Sequence, residues 1–251
     1  TMVNETVIAQ TFNKDLANEY GKICGNYSLW SNLTIFWGCG TNLHRSPYNA
    51  RNHEYYSEDA VLTSGQAVAF ISGGKEYGVI IAPKHLAFND TEINRTGVSV
   101  FMTEQQAREN ELRGTQGIVE NAHVLGVMTA YNRIGVMYAA ANQGIQHILR
   151  DEWNYGGYII DDALTASEYS SAPEMLMAGN NIFCLDTARP NEIEKLITST
   201  DDGDLLQKVI DSNHYLYYIM LQSSMGGSGA EDVVVSDAAP WWQTTLRALD
   251  V

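Results

Sequence analysis

Five short apolar runs, TIFWGCG (34–40), GVIIAPK (78–84), GVMTAYN (126–132), GYIIDD (157–162) and NNIFCLD (180–186), recur along the chain with longer amphipathic stretches between them. Each is too short for a helix and too uniformly apolar for a strand with one wet face, so the pattern predicts strands buried on both faces of a parallel sheet. The stretches between them have helical character. NKDLANEYGKIC follows Asn13, SEDAVLTSGQAVAFI offers Ser57 as a cap, and TEQQARENELRGTQGIVENA has Thr103 and Gln106 in capping-box spacing. MYAAANQGIQHILRDEW, ASEYSSAPEMLMAG and RPNEIEKLIT, with Pro190 near its start, fill the remaining gaps. Strand alternating with helix predicts right-handed crossover units, about five of them, in an α/β sheet or barrel.

With 251 residues, 45% of them hydrophobic, the chain can bury a sizeable core. Its formal charge of −15 and its lack of Lys/Arg clusters exclude nucleic acid as a partner and suit a neutral or cationic ligand. Cys24, Cys39 and Cys184 are far apart in apolar settings and read as buried free thiols rather than as a disulfide framework or zinc site. No apolar run approaches the ~20 residues that span a bilayer.

Polar residues close every strand. The first run leads into TNLHRSPYNARNHEYYSED and the second into PKHLAFNDTEINR; the third ends in Tyr131 and Asn132, the fourth in Asp161 and Asp162, the fifth in Asp186. In parallel α/β proteins the loops after the strands open into one crevice, so these residues form one candidate site. Strand alternation turns one of Asp161 and Asp162 inward and the other away, and alternation alone does not choose between them. Tyr48, Tyr55, Trp37 and Trp153 are the aromatic residues near these strand ends, with core packing expected of the two tryptophans. His44 and Arg45 are lesser candidates, and His123 and His147 lie in helical stretches.

The ordered set RNHEYYSED, KHLAFND with Glu92 and Arg95 after it, VMTAYN, LRDEW and GYIIDDA resembles the barrel domain of glycoside hydrolase family 3, in particular its β-glucosidase branch, over about residues 5 to 190. The resemblance implies a (β/α)8 TIM-type barrel, of which this chain carries about five or six βα units. It makes Asp162 the nucleophile, Arg51, Lys84 and His85 ligands of the sugar hydroxyls, and Tyr131 a hydrogen-bond partner of the nucleophile. The expected reaction is retaining, exo-acting hydrolysis of terminal β-linked sugars, with no metal or other cofactor, in which an ionised carboxylate and a proton donor face each other about 5 Å apart across the sugar. Arg51 and Lys84 are expected to help hold that carboxylate ionised.

Departures from the family pattern shape further expectations. The family's sugar-binding Asp-Gly-Pro segment does not occur, so the rest of the barrel is expected from another segment of the same precursor or from another chain. The acid/base is expected from a separate domain, and Ala163 stands where the family commonly has tryptophan. The organisation reads as a partial barrel over 1–200, a helix over 201–225, and a linker and tail over 226–251 that packs on the barrel or a neighbouring domain. The expected partner is a carbohydrate, and a homo-oligomer is compatible with the sequence. Sequons at Asn4, Asn26, Asn32, Asn89 and Asn94 are read as chance, and a bacterial cytoplasmic or cell-surface setting is expected over a eukaryotic secretory one. Two other readings stand beside the hydrolase: a non-catalytic carbohydrate-binding relative, and an unrelated α/β enzyme holding a divalent metal on Asp161, Asp162 and His85.

Overall fold

The structure is a computed structural model that describes residues 3–95, 97–163, 170–184, 188–199, 201–226 and 248. Asp186 and the tail from residue 227 onward, Ala248 apart, lie outside the described residues.

The apolar runs become parallel strands at the expected places. β1 (Ile35–Phe36) pairs with β2 (Ile80–Ile81), and β3 (Lys84–Leu86) continues the same stretch of chain and pairs with β5 (Gly126–Thr129). β5 in turn pairs with β8 (Tyr158–Ile160), and Ile182 extends the parallel series by a bridge to Ile160. Because side chains alternate across a strand, each run supplies two cores. Ile81, Leu86, Val127 and Ile159 meet the helices through Phe70, Ile71, Ile118 and Leu149. Ile80, Ala82, Met128, Tyr158, Ile160 and Cys184 line the opposite face with Ile219. This burial on both faces is why the runs lack polar alternation.

The helices begin where their caps dictate. α1 (Glu5–Ala9) is capped by Asn4, and α2 (Lys14–Trp30) by Asn13, whose side chain accepts from the amides of Asp15 and Leu16. α3 (Ala60–Lys75) is capped by Asp59, which accepts from Leu62 N at 2.6 Å; the expected cap, Ser57, instead accepts from Asp59 N at 2.9 Å and orders the approach. α2 and α3 pack closely because Gly21 lets the Phe70 carbonyl approach to where a Cβ would be 1.9 Å away.

The helix expected over 103–122 is divided. Thr103 caps α4 (Glu104–Gln106), a π-helical turn runs over Ala107–Glu111, and α5 (Arg113–Ala122) ends on His123 in the left-handed region. The stretch beginning MYAAANQG is also corrected. Its first residues form a hairpin strand and a 3-10 turn, and α6 (Gln143–His147) starts only at the Asn142 cap before a π turn at Ile148–Glu152.

β4 (Ser99–Val100), β6 (Arg133–Ile134) and β7 (Met137–Tyr138) make a small separate sheet beside the strand ends. α7 (Ala172–Ala178) opens with a full capping box between Ser171 and Glu174. α8 (Ala188–Ser199) and α9 (Gly203–Leu221) follow, and Ile219 of α9 packs into the Ile80–Met128–Tyr158 cluster. Among the described residues, no helix is long and apolar enough to cross a membrane. Cys24, Cys39 and Cys184 are buried free thiols.

Candidate active site

The site forms where β3, β5 and β8 end. Asp162 lies two residues past the end of β8 and is 9% exposed. Its Oδ1 accepts from Ala163 N at 2.7 Å, while its Oδ2 is buried and, among the described residues, accepts no hydrogen bond. His85 Nε2 lies 3.3 Å from that Oδ2 without the alignment of a hydrogen bond.

The imidazole is committed elsewhere. Arg51 Nη2 lies 3.1 Å from His85 Nε2, and since a guanidinium only donates, Nε2 is the acceptor. Nδ1 then carries the proton and donates to Asn42 Oδ1 at 3.3 Å. Asn42 is oriented by the backbone of the same residue, accepting from His85 N at 2.8 Å and donating to His85 O at 3.0 Å. Asn89 and Tyr55 close the network around the ring: Asn89 Nδ2 donates to Tyr55 Oη at 3.2 Å, and the Tyr55 and His85 rings meet in a T-shaped arrangement. Burial first, then Arg51, Lys84 and Arg95, hold the imidazole well below its usual pKa, so His85 is neutral.

Arg51 is fixed on three sides. Its Nε donates to Glu54 Oε1 at 2.5 Å, Nη1 to Glu92 Oε1 at 3.1 Å, and Nη2 to His85. Glu92 is shared, since its Oε2 accepts from Arg95 Nη1 at 2.9 Å. Arg95 in turn lies over the Tyr131 ring, 4.1 Å from its centroid. Lys84 is half-buried beside this group, and its charge acts on both His85 and Asp162.

The expectation for Tyr131 is corrected here, and the expected help of Arg51 and Lys84 toward an ionised carboxylate is present but outweighed. The Tyr131 hydroxyl gives its proton to Ala163 O at 2.8 Å, one residue beyond the carboxylate it was expected to bond. The Asp162 pKa is raised: burial outweighs the lowering by Ala163 N–H, Arg51, Lys84 and Arg95, so the cations moderate the shift without reversing it.

Asp161 faces away from this group. It is fully buried, and its Oδ1 accepts from Cys184 N at 2.6 Å, which ties the end of β8 to the neighbouring strand. Alternation therefore separates the aspartates as it must, one into the crevice and one into the sheet. Arg45 pairs with buried Asp90 at 3.0 Å and lies 3.7 Å from buried Glu111, while His44 Nε2 donates to Tyr55 O at 2.9 Å. Trp37 is 43% exposed, against the expectation of core packing, whereas Trp153 packs against the main cluster. His147 pairs with Asp151 on an exposed helix face. Among the described residues no group of three or more His, Cys, Asp or Glu side chains is placed to hold a metal ion.

Sequence reading did not find Asn42, Tyr55 and Asn89 as partners of His85. KHLAFND carries Asn89 four residues after His85, a spacing that signals contact only once the loop's path is known.

Parallel βα units with a carboxylate, an imidazole and guanidinium groups converging at the strands' carboxyl ends have the architecture of part of a (β/α) barrel. Residues 2–215 match the model of the glycosyl hydrolase family 3 N-terminal domain, and the chain belongs to that family. It is 29% identical over 245 residues to a β-glucosidase of Ruminococcus albus, covering 94% of this chain and 26% of that protein. It is 35% identical over 158 residues to a probable β-glucosidase J of Aspergillus fumigatus, covering 62% of this chain and 18% of the other. The structure of β-glucosidase 3B from Thermotoga neapolitana in complex with α-D-glucose superposes with a TM-score of 0.85 at 27% identity, over 100% of this chain and 35% of that one. The chain thus spans about a quarter to a third of the Ruminococcus and Thermotoga relatives.

Proposed function

We propose that this chain carries the glycone-binding and nucleophile half of a retaining β-glucosidase-like active site, with Asp162 as the nucleophile. The observation that carries this reading is the Asp162 carboxylate, buried at a strand end with Oδ1 held by a backbone amide and Oδ2 accepting no hydrogen bond among the described residues. Oδ2 attacks the anomeric carbon as the glycosidic C–O bond breaks, and the departing oxygen takes its proton from an acid. Water then attacks the same carbon, gives a proton to the conjugate base of that acid, and releases the carboxylate. Arg51 and Lys84 supply directional donors for sugar hydroxyls. Neutral His85, its Nε2 lone pair on Arg51, holds the guanidinium beside the carboxylate without adding charge of its own. Tyr131 fixes the Ala163 carbonyl and so the backbone just past the nucleophile. β-Glucosidase names among the relatives, and glucose in the Thermotoga structure, support a hexose as the sugar.

The acid/base and the rest of the barrel come, in this reading, from protein beyond these strands. Among the described residues β1 pairs only with β2, and on α2 beside it Ile23, Tyr27 and Trp30 are more than half exposed. An open strand edge next to an apolar helix face is the surface that an adjoining barrel unit would cover.

The test uses 2,4-dinitrophenyl β-glucoside, whose leaving group departs without a proton and so needs no acid/base. The wild-type chain should release dinitrophenolate and Asp162→Ala should not, while azide should restore release in the variant with α-glucosyl azide as product. Binding of glucose with no turnover in either protein would favour the non-catalytic relative.

A further inference from the structure

We propose that Arg45 is a positioning residue of the sugar site: its guanidinium ties two buried carboxylates together and so holds Arg51 in place beside His85 and Asp162. Its role rests on the reading of Arg51 as a ligand of the sugar.

Arg45 lies in the loop after β1, and its side chain joins three elements. Nη2 lies 3.0 Å from Oδ2 of Asp90, in the loop after β3, and Nη1 lies 3.7 Å from Oε1 of Glu111, in the π turn before α5. Both carboxylates are buried, while the guanidinium arm is partly in solvent. Neither Asp90 oxygen accepts an aligned hydrogen bond among the described residues, so Arg45 is the partner that offsets the removal of this carboxylate from water. The neighbouring residue holds the same region from the other side, His44 Nε2 donating to Tyr55 O at 2.9 Å.

Asp90 stands between two residues of the site. On one side Asn89 Nδ2 donates to Tyr55 Oη at 3.2 Å and lies 3.3 Å from His85 Nδ1, within the network that leaves His85 Nε2 as the acceptor for Arg51 Nη2 at 3.1 Å. On the other, Glu92 Oε1 accepts from Arg51 Nη1 at 3.1 Å, and Glu92 N donates to Asn49 O at 3.2 Å in the loop that carries Arg51. Both routes end on the Arg51 guanidinium. Deprived of Arg45, an ionised Asp90 is drawn toward water, and the loop bearing Asn89 and Glu92 is drawn with it. The route is one of position rather than of charge, since Arg51, Lys84 and Arg95 are the cations that act on Asp162, whereas Arg45 acts on Asp90 and Glu111.

The test is glucose affinity by titration calorimetry on the wild-type chain, Arg45→Met, Arg51→Met and the double variant, with the folded fraction of each checked by circular dichroism. Arg45→Met should weaken glucose about fivefold or more and Arg51→Met at least as much, while the double variant should match Arg51→Met within about twofold, because Arg45 acts through Arg51. The acid limb of the 2,4-dinitrophenyl β-glucoside rate profile should move upward in Arg45→Met as in Arg51→Met, a readout that lost stability alone does not move. If Arg45→Met does not fold, Arg45→Lys, which keeps the charge and loses the fork between the two carboxylates, carries the same cycle. Losses that add in the double variant, an unmoved limb, or affinity unchanged by the Arg45 substitution would overturn the role of Arg45 and leave the site reading standing. Glucose binding that Arg51→Met leaves unchanged, or that is absent from the wild-type chain, would overturn both.

Discussion

His85 Nε2 stands 3.3 Å from Asp162 Oδ2 and yet does not donate to it, because Arg51 already occupies the nitrogen's lone pair at 3.1 Å. The imidazole is thus a neutral spacer between guanidinium and carboxylate, and Oδ2 keeps its lone pairs for a reacting carbon.

Asp162→Asn should therefore abolish turnover while leaving the fold intact. Loss of a nucleophile of this kind costs a thousandfold or more in rate, about 4 kcal/mol of barrier. Because burial disfavours the charged carboxylate, the variant should also be at least as stable as wild type at neutral pH, which denaturant unfolding checks. An equally inactive but unfolded variant would show that the residue is structural.

The pH dependence follows from the same balance. Asp162 must be ionised to react, and its folded pKa is raised, so the acid limb of the rate profile should lie above the ordinary carboxylate range. Arg51→Met removes a charge that lowers that pKa, and the limb should move further up. A limb unmoved by the substitution would mean that Arg51 acts on substrate alone.

His85 supplies a stability signature of opposite sign. Its folded pKa is depressed, so the unfolded chain takes up the proton first as pH falls through about 6.5, and this contribution to stability is lost below that point. His85→Asn should flatten stability against pH in that window; an unchanged slope would place the imidazole in a solvated setting.

Glu111, in the π turn, has its pKa raised to about 7 by burial and by buried Asp90. Between the usual 4.5 and about 7 the folded state holds the extra proton, so stability should fall as pH rises through that window and stay low above it. Glu111→Gln should remove the slope and stabilise the protein at neutral pH by on the order of 3 kcal/mol, measured by urea unfolding at about pH 5 and about pH 8. Coincident curves for the two proteins would show that the pair is solvated.

Asp161 should matter to the fold more than to the reaction. Asp161→Ala orphans the buried Cys184 N–H and should cost about 1–3 kcal/mol, while Asp161→Asn keeps an acceptor and should cost less. Both should keep far more activity per folded molecule than Asp162→Asn.

The strands could be read from the sequence because burial on both faces leaves an unmistakable local signature, and the crevice because strand ends converge in any parallel barrel. The partition of Asp161 and Asp162 was open to alternation alone and needed the family resemblance. Missed features have long-range causes. Glu5 meets Gly40 across 35 residues and Asn42 meets His85 across 43, and neither contact leaves a periodic trace. Ser57 in place of Asp59, and continuous helices in place of π turns, were misread because propensity does not resolve one-residue shifts or bulges. The hairpin of β6 and β7 escaped notice because two-residue strands carry too few side chains to alternate visibly.

The most direct test is to incubate the chain with 2,4-dinitrophenyl 2-deoxy-2-fluoro-β-glucoside, digest it, and locate the label by mass spectrometry. The fluorine slows hydrolysis of the intermediate, and the leaving group needs no acid. The account predicts one fluoroglucosyl group per chain, on Asp162 in the GYIIDDA peptide, blocked by glucose. A label on Asp161 or elsewhere, or none on a chain that binds glucose, would contradict it.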